Sequence, residues 1–259
     1  MKTVFITGAS SGIGAALALT YAQQGATLAL VARRGEALEE LRQSLPDPGR
    51  HHIYAVDVTD HAALAKAATD FMQAVGQVNV VIANAGISVG TLSEYAEDTQ
   101  VFDRVLQTNL MATVATFSPF IGAMKNYARQ TDCRLVGIGS VAGIRGLPGA
   151  GAYSASKAAV ISYCESLRVE LRDSGIRVVT IAPGYIDTPM TRDNPYPMPF
   201  LMPVQAFSQA AVAAIDRADS YRIIPWQMGV VAKLLRILPN WLYDAVFAKA
   251  RRKPRAAGD

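Results

Sequence analysis

Three polar side chains stand at a spacing that could move a proton to or from an oxygen atom. Tyr153 and Lys157 are four residues apart, so on a helix they lie about one turn from each other on the same face. An ammonium about 5 Å from a phenol, at an effective dielectric of about 20, favours the phenolate by roughly 3 kcal/mol and lowers the tyrosine pKa. Ser140, which ends the apolar run RLVGIGS, could donate a hydrogen bond to a carbonyl oxygen as it becomes an alkoxide. An ordinary Tyr-x-x-x-Lys pair on a helix surface is the alternative.

A glycine-rich segment near the N-terminus has the form of a dinucleotide-binding turn. Gly8, Gly12 and Gly14 follow the β-branched run TVFIT and precede a stretch of small apolar residues typical of a helix. Glycines let the chain turn sharply and let backbone N–H groups approach a pyrophosphate, which the positive end of the helix also attracts. Close packing between helix and strand would also explain the glycines, but their place in a strand–helix–strand unit favours a dinucleotide.

The residues after the second predicted strand indicate which dinucleotide this turn would hold. A cofactor with free ribose hydroxyl groups is usually held there by a carboxylate, whereas this chain has Arg33 and Arg34. Two guanidinium groups suit a 2′-phosphate through charge-assisted, bidentate hydrogen bonds. We therefore expect NADP(H) rather than NAD(H) as the cofactor, with a solvated basic turn before a helix as the alternative.

Three further sites hold residues that could serve the same cleft. Asp57 ends the third predicted strand, where it could accept a hydrogen bond from an adenine amino group or simply form a turn. Asn84 to Gly86 end the fourth strand, where small residues would let a cofactor lie against the backbone. Asn109 lies within a predicted helix, although asparagine is a poor helix former. It is either a hydrogen-bonded core amide or a group that orders water near Lys157.

Apolar strand-like runs alternate with helical patterns along most of the chain. The predicted strands lie in TVFITG, TLALVAR, HIYAVDVT, VNVVIANAG, RLVGIGS, IRVVTIAPG and YRIIP, and one long helical region is predicted over about residues 98–129. Parallel strands joined by right-handed helical crossovers give an α/β fold, a doubly wound sheet with helices on both faces. We expect one domain over residues 1–225, with a substrate loop at about 188–206, and an amphipathic C-terminal extension over residues 226–259.

Charge and cysteine content narrow the functional classes. The net charge of +4 comes from residues 249–259, which hold five basic side chains and one acidic, so the rest of the chain is neutral and no nucleic-acid-binding face is expected. No group of His, Cys, Asp or Glu has the spacing of a metal site. Cys133 and Cys164 fit no redox motif and are expected to be buried free thiols, which favours a reducing, cytoplasmic location. The apolar run after Lys2 is too short for a secretory signal.

The ordered set of these motifs resembles the classical short-chain dehydrogenases/reductases over about residues 3–224. The resemblance rests on TGASSGIG at 7–14, Asp57, NAG at 84–86, Asn109, Ser140, YSASK at 153–157 and PGYIDTPM at 183–190. It implies a Rossmann-type fold with a seven-stranded parallel sheet and a catalytic tetrad of Asn109, Ser140, Tyr153 and Lys157. Tyr153 would be the general acid/base and Ser140 would polarise the substrate oxygen. Lys157 would lower the tyrosine pKa and bind the nicotinamide ribose, and Asn109 would support a proton-relay water.

The expected cofactor contacts combine the argument from residue types with this resemblance. Pro183, Gly184, Ile186 and Thr188 would line the nicotinamide, and an arginine just beyond the second strand often accompanies NADP use in the family. The residues expected to contact the cofactor are Gly8, Ser10, Ser11, Gly12, Ile13, Gly14, Arg33, Arg34, Asp57, Val58, Asn84, Ala85, Gly86, Tyr153, Lys157, Pro183, Gly184, Ile186 and Thr188. The resemblance further implies a homodimer or homotetramer through the helices of Asn109 and Tyr153.

Two segments depart from the plain family pattern. Between Thr188 and Ala206, five prolines alternate with methionine, phenylalanine and leucine, which favours a mobile, adaptable apolar wall and a bulky apolar substrate. A lid that packs only on its own protein is the alternative. From Trp226 onward, an apolar stripe interrupted by Pro239 precedes the basic tail. We expect it to pack on its own domain or a neighbouring subunit, with peripheral contact at the inner face of a membrane as the alternative.

Together these features predict an NADP(H)-dependent oxidoreductase that transfers a hydride between a nicotinamide and a carbonyl or alcohol. Two hypotheses from other classes are an NADPH-binding regulator without turnover and a membrane-associated interaction protein that acts through its C-terminal segment. The serine, tyrosine and lysine argue against the regulator, because a sensor needs no proton donor. An epimerase or dehydratase on a related fold is a smaller alternative within enzymes.

Overall fold

The strands of the computed structural model, which describes residues 1–192, 194–248 and 253–255, form one large parallel sheet and one small pair. They are β1 Thr3–Thr7, β2 Thr27–Ala32, β3 His52–Ala55, β4 Val80–Ala83, β5 Cys133–Ile138, β6 Ile176–Pro183, β7 Ile186–Asp187, β8 Met202–Pro203 and β9 Tyr221–Ile224. The large sheet has the order β3-β2-β1-β4-β5-β6-β9, and every neighbouring pair is parallel. The predicted α/β fold with a seven-stranded parallel sheet is confirmed.

The helices lie on both faces of this sheet and follow its strands along the chain. Within the described residues they are α1 Gly12–Gln23, α2 Gly35–Ser44, α3 His61–Val75, α4 Asp98–Leu106, α5 Ala112–Lys125, α6 Gly151–Glu170, α7 Pro189–Arg192, α8 Val204–Asp216, α9 Trp226–Ile237 and α10 Asn240–Phe247. The predicted substrate loop therefore contains the short helix α7 and the strand β8, and it gives way to α8 at Val204.

Each face of the sheet carries its own apolar core, because successive strand residues point to opposite sides. In β1, Val4 and Ile6 belong to the core that includes side chains of α1 and α8. Phe5 lies on the other face with side chains of α3, α5 and α6, and its ring centroid is 6.1 Å from that of Phe71 and 4.9 Å from that of Phe120. Both faces are covered, so the ends of the strands are where a ligand can reach the sheet.

The strand order reverses between β1 and β4. From β1 the chain proceeds outward to β2 and β3, and it then returns to the other side of β1 to begin β4. In a doubly wound sheet, such a reversal opens a crevice at the carboxyl ends of the two strands. The glycine turn follows β1 and Asn84 follows β4, so the topology brings both predicted binding segments to this crevice.

The helical region around Asn109 differs from the single helix predicted over residues 98–129. It consists of α4, a wider π-helical turn at Gln107–Met111, and α5, which ends at Lys125. A π turn inserts an extra residue into the helical repeat and commonly marks a functional site. Here the turn contains the buried Asn109, whose side chain bonds to the chain segment after β4.

Candidate active site

A cleft of about 490 Å³ opens at the carboxyl ends of the central strands and extends to the start of α6. All the predicted site residues lie in its wall except Gly14 and Asn109. The predicted residues that line it are Gly8, Ser10, Ser11, Gly12, Ile13, Arg33, Arg34, Asp57, Val58, Asn84, Ala85, Gly86, Ser140, Tyr153, Lys157, Pro183, Gly184, Ile186 and Thr188. The fold thus gathers the glycine turn and the serine, tyrosine and lysine around one cleft.

The glycine turn packs so closely that side chains would disrupt it. Gly8 has a φ of +68°, and a Cβ there would lie 2.8 Å from the Cα of Ala85. Gly14 lies behind the turn, where a Cβ would overlap the carbonyl oxygen of Gly8 and lie 2.7 Å from Nδ2 of Asn84. The Ser11 side chain makes no capping hydrogen bond to the first turn of α1. A tight cradle before an uncapped helix start fits a pyrophosphate.

Two arginines lie at the outer end of the cleft, beside the glycine turn. Arg34 donates from Nη2 to the hydroxyl oxygen of Ser10 at 3.2 Å. The largely exposed Arg33 has its Nη1 3.9 Å from Oδ2 of Asp57. Asp57 also accepts hydrogen bonds from the backbone N–H and the hydroxyl of Thr59, at 2.9 and 2.8 Å. The backbone hydrogen bond from Thr59, with a smaller contribution from Arg33, lowers the Asp57 pKa. The two hydrogen bonds from Thr59 form the turn that was expected at Asp57 as the alternative to an adenine contact.

The hydroxyl groups of Ser140 and Tyr153 meet in the inner part of the cleft. Ser140 follows β5 in extended backbone, and its Oγ accepts a hydrogen bond from the Ala142 N–H at 3.1 Å. Tyr153 is the third residue of α6 and is half-buried. Burial raises the Tyr153 pKa, while a hydrogen bond with Ser140 partly opposes this effect. The phenol is therefore protonated at neutral pH in this structure.

Lys157 lies one turn further along α6, as predicted from the spacing, but it is bonded differently. Its Nζ donates to the carbonyl oxygen of Ile138 at 2.8 Å and lies 5.9 Å from the centroid of the Tyr153 ring. Burial lowers the Lys157 pKa to about 8. Burial instead raises the Tyr153 pKa, and the ammonium of Lys157 is bonded to the β5 backbone. The expected lowering of the Tyr153 pKa by Lys157 stays a prediction.

Asn109 stands behind the cleft wall and ties together two segments that form it. Its Oδ1 accepts from the Ile87 N–H at 2.8 Å, and its Nδ2 donates to the Ile87 carbonyl at 3.0 Å and to the Ser156 hydroxyl at 2.9 Å. The side chain is fully buried. Of the two expected alternatives, the hydrogen-bonded core amide is present, and a part in proton relay stays a prediction.

Gly143 is a close-packed position beside the cleft that was not predicted from the sequence. It lies in the short helical turn Val141–Gly143 that follows Ser140, and a Cβ there would lie 2.7 Å from the backbone carbon of Lys157. Any side chain at this position would push the Ser140 segment away from α6. The signal was present as a glycine three residues after the serine, inside the run GSVAGIRG.

The model of the short chain dehydrogenase family matches residues 2–197. The chain belongs to the short-chain dehydrogenase family. An uncharacterized oxidoreductase from Myxococcus xanthus is 36% identical over 251 residues, which cover 96% of this chain and 98% of that protein. The chain is therefore an oxidoreductase of this family.

Solved structures of the family have the same fold. A 3-ketoacyl-(acyl-carrier-protein) reductase from Brucella melitensis, complexed with NADH, superimposes with a TM-score of 0.79 at 25% identity, covering 86% of this chain and 96% of that one. A short-chain dehydrogenase from Burkholderia cenocepacia, complexed with NADP, also has a TM-score of 0.79 at 25% identity, covering 95% and 99%. The Rossmann-type fold implied by the resemblance is thus confirmed.

In this short-chain dehydrogenase, the segment after β6 closes the inner end of the cleft. Met190, on α7, lines the cleft, whereas Phe200 and Leu201 are exposed. Tyr196, which the sequence argument had not singled out, has its ring centroid 6.3 Å from that of Tyr185. Burial raises the Tyr196 pKa to about 12, with Tyr185 and Tyr153 adding to the effect. The predicted apolar wall is therefore partly present, and Tyr196 adds a polar group near Tyr153.

Two further residues, Arg104 and Thr108, line the cleft but were not predicted from the sequence. Arg104 and Thr108 lie four positions apart at the junction of α4 and the π turn, and both contribute to the wall. Their i, i+4 spacing places them on one helix face. Nothing in their local sequence distinguishes them from an ordinary solvated face, because their role depends on how α4 packs beside the cleft.

The C-terminal helices of this oxidoreductase dock on the segment that follows Ser140. Arg145 donates to the Leu238 carbonyl at 2.8 Å and to Oδ1 of Asn240 at 3.1 Å. Its guanidinium carbon lies 4.0 Å from the centroid of the Tyr243 ring, and Tyr243 donates to the Gly146 carbonyl at 2.5 Å. The apolar stripe therefore packs partly on its own domain. The stripe divides into α9 and α10, with Pro239 just before α10.

Another part of the predicted stripe is exposed. The exposed large apolar side chains of α9 and α10 are Trp226, Val230, Leu234, Ile237, Trp241 and Val246. Of the five basic tail residues, Lys253 and Arg255 bond to side chains of the domain itself, and Lys249, Arg251 and Arg252 lie outside the described residues. No helix in the described part of the chain is long and apolar enough to cross a bilayer.

The predictions about cysteines and metals concern residues away from the cleft. Cys133 and Cys164 are both buried free thiols, as predicted. Across residues 1–192, 194–248 and 253–255, no group of three or more His, Cys, Asp or Glu side chains is arranged to hold a metal ion.

Proposed function

We propose that this oxidoreductase uses NADP(H) to interconvert a carbonyl and an alcohol on a bulky, mostly apolar substrate. One observation carries the proposal: Ser140, Tyr153 and Lys157 line the same cleft as the glycine turn and the two arginines. A proton donor and a dinucleotide cradle in one cleft are the two parts that carbonyl reduction needs.

The cofactor would lie along the cleft from the arginines to the segment after β6. The residues that would hold it are those of the wall named above, from Gly8 to Thr188, with Gly14 and Asn109 supporting them from behind. Arg33 and Arg34 carry two cations beside Ser10 at the outer end, which suits a 2′-phosphate. Solved structures of the same fold hold NADP or NADH, so the fold alone does not choose between them. The arginine pair favours NADP(H). When bound, NADP(H) supplies the hydride for reduction or accepts it for oxidation.

The chain's own groups would position the substrate oxygen and move its proton. The Ser140 hydroxyl would donate a hydrogen bond to the carbonyl oxygen, and the Tyr153 phenol would transfer its proton to that oxygen as charge develops. The raised pKa of Tyr153 keeps the phenol protonated near neutral pH, which suits a proton donor. Lys157 supplies a nearby amine, and Gly143 lets the Ser140 segment approach α6.

Loss of the two arginines tests the cofactor assignment. In Arg33→Ala/Arg34→Ala, NADPH affinity should fall at least about tenfold, because charge-assisted hydrogen bonds contribute about 1.5–3 kcal/mol each when well formed. NADH affinity should change less than about twofold. Arg217→Ala, which breaks only an ion pair with Asp219, is the matched control. Titration of cofactor fluorescence measures the affinity of each protein for NADPH and for NADH, and equal effects on the two cofactors would contradict a 2′-phosphate site.

A panel of steroids, long-chain ketones, acyl thioesters and sugars with NADPH tests the substrate class. Met190 adds an apolar side chain to the cleft wall, so apolar ketones should be turned over with higher kcat/KM than sugars. Absorbance of the reduced nicotinamide measures each rate. A preference for sugars would contradict the apolar substrate.

A second proposal concerns the exposed apolar side chains of α9 and α10, and one observation favours it. Trp226 and Trp241 are 67% and 72% exposed, and Lys233 and Arg236 are the charged residues of α9. Exposed tryptophans with nearby cations suit the interface of an anionic bilayer. Full-length protein should float with anionic vesicles and less with neutral ones. Trp226→Ser/Trp241→Ser should abolish flotation, and the control Trp226→Phe/Trp241→Phe should retain most of it. Equal flotation of the serine and phenylalanine variants would contradict the contact.

A further inference from the structure

We propose that residues 253–255, named the strap, hold the start of α6 in place, so that Arg255 is a positioning residue for Tyr153. The inference deepens the function proposed above and rests on the role given there to Tyr153. The strap lies against the loop formed by residues 88–98, between β4 and α4. That loop in turn bonds to the first turn of α6.

Arg255 is the main attachment of the strap to the loop. Its Nε and Nη2 donate to both carboxylate oxygens of Asp98, at 2.9 and 3.0 Å, and Nη2 also donates to Glu97 at 2.8 Å. The guanidinium carbon lies 3.5 Å from the centroid of the Tyr95 ring. The Asp98 side chain is only 4% exposed. A bidentate pair with a nearly buried carboxylate depends on both partners, because removal of one leaves a charge without its counter-ion.

The backbone of the strap closes on the loop as well. Gly90 and Arg255 form a parallel β-bridge. A Cβ at Gly90 would lie 2.5 Å from the Lys253 carbonyl oxygen, so only glycine allows this approach. Lys253 donates from Nζ to the Ser88 hydroxyl at 3.0 Å. The strap therefore contacts the loop near its start, at Ser88 and Gly90, and, through Arg255, at its end.

The loop caps the helix that carries Tyr153. α6 has Ala150 at its N-cap position, which offers no side-chain acceptor. Thr91 supplies one from the loop: its Oγ1 accepts from the Ala152 N–H at 3.3 Å, and its own N–H donates to the Gly149 carbonyl at 3.1 Å. Tyr153 is the next residue along the chain. An N-cap acceptor on another segment fixes both the helix start and the segment.

One carboxylate joins the two halves of this arrangement. Asp98 accepts from the Leu92 N–H at 2.7 Å through the same Oδ2 that accepts from Arg255. Leu92 directly follows Thr91. The residue that bonds to the ion-paired Asp98 and the residue that caps α6 are therefore neighbours in the loop. A displacement of the loop after loss of Arg255 would reach Tyr153 through Thr91, and small displacements of a proton donor lower the rate strongly.

Kinetics and hydrogen exchange of Arg255→Ala test the strap. We expect kcat to fall about tenfold while the affinity for NADPH changes less than about twofold, because the strap does not line the cofactor cleft. Amide exchange should accelerate in peptides covering residues 88–98 and 147–156. Arg255→Lys, which keeps the charge but not the bidentate bond, should recover part of kcat. Arg217→Ala is again the control and should match wild type in every readout.

Thr91→Val tests the other end of the same path and keeps the inference testable if Arg255→Ala is poorly folded. Valine keeps the side-chain shape and removes the hydroxyl acceptor, so kcat should fall while Arg255 stays bonded and exchange accelerates only in 147–156. Unchanged kcat and unchanged exchange in both variants would overturn the proposal. Failure of the proposed function looks different: wild type would then turn over no carbonyl with NADPH, while the exchange result would still report on the strap.

Discussion

Replacement of Lys157 by methionine should stabilise the fold while it removes activity. Burial lowers the pKa of this ammonium from its ordinary value of 10.5 to about 8. At about 1.4 kcal/mol per pH unit of difference, charging Lys157 in the folded protein costs about 3 kcal/mol at neutral pH. The lost hydrogen bond to the Ile138 carbonyl offsets about 1 kcal/mol. Lys157→Met should therefore raise the free energy of unfolding by about 2 kcal/mol.

The pH dependence of the stability difference between wild type and Lys157→Met separates the effect of the lysine charge from the effect of side-chain packing. Below the folded pKa of about 8, Lys157 is protonated in both states and its full cost is present. As pH rises from about 8 toward 10.5, the folded protein loses the proton first, so the unfolded state binds more protons and stability increases with pH. Wild type should gain about 2 kcal/mol relative to Lys157→Met between about pH 7 and pH 9.5.

Urea unfolding at several pH values measures this gain. Lys66→Met, at an exposed position on α3, is the matched control. The reasoning would be refuted if the stability difference between wild type and Lys157→Met stayed constant from about pH 7 to pH 9.5. In the same samples, carbonyl reduction by Lys157→Met should fall at least about a hundredfold, as expected where a catalytic group is retained at a cost in stability.

Two further predictions concern the scaffold of the cleft. Gly14→Ala should destabilise the fold by at least about 2 kcal/mol, because its Cβ would overlap the Gly8 carbonyl oxygen; a urea midpoint equal to that of wild type would show that the turn can yield. Asn109→Ala should cost about 2–4 kcal/mol, because it removes the hydrogen bonds to Ile87 and Ser156. Thermal unfolding measures this loss of stability, and a loss below about 0.5 kcal/mol would mean that water replaces the hydrogen bonds of the amide.

The local parts of the cleft could be predicted because their constraints are carried by single residues. Gly8 needs a positive φ, which few other residues adopt, and Gly14 needs the absence of a Cβ, which only glycine provides. Arg33 and Arg34 follow β2 directly, so the parallel sheet alone places them at the crevice. Spacing within one helix likewise brought Lys157 to the same side of α6 as Tyr153.

The protonation of Tyr153 could not be predicted from that spacing. An i, i+4 separation establishes proximity, but it says nothing about burial or about competing acceptors. In the fold, the Ile138 carbonyl accepts from the lysine, and burial raises the pKa of the phenol. The carbonyl that binds the lysine belongs to β5, and Ser140, which bonds to the phenol, follows β5. Both groups lie outside the helix that holds the pair.

The supporting contacts depend on residues that are distant along the chain. The π turn around Asn109 bonds to Ile87, 22 residues away, and Arg255 pairs with Asp98, 157 residues away. Neither pairing has a local pattern, because an isolated asparagine or arginine in a polar tail is compatible with many surroundings. The basic tail was predicted only from its charge, and Arg255 in its described part pairs with Glu97 and Asp98.

The most direct test of the central claim compares Tyr153→Phe with wild type under NADPH and a substrate found in the carbonyl panel. Phenylalanine keeps the ring in place and removes only the hydroxyl group, and Tyr163→Phe on the same helix is the matched control. The account predicts that Tyr153→Phe binds NADPH within about twofold of wild type but loses at least about a hundredfold in kcat. Near-native turnover by Tyr153→Phe would contradict the assignment of Tyr153 as the proton donor.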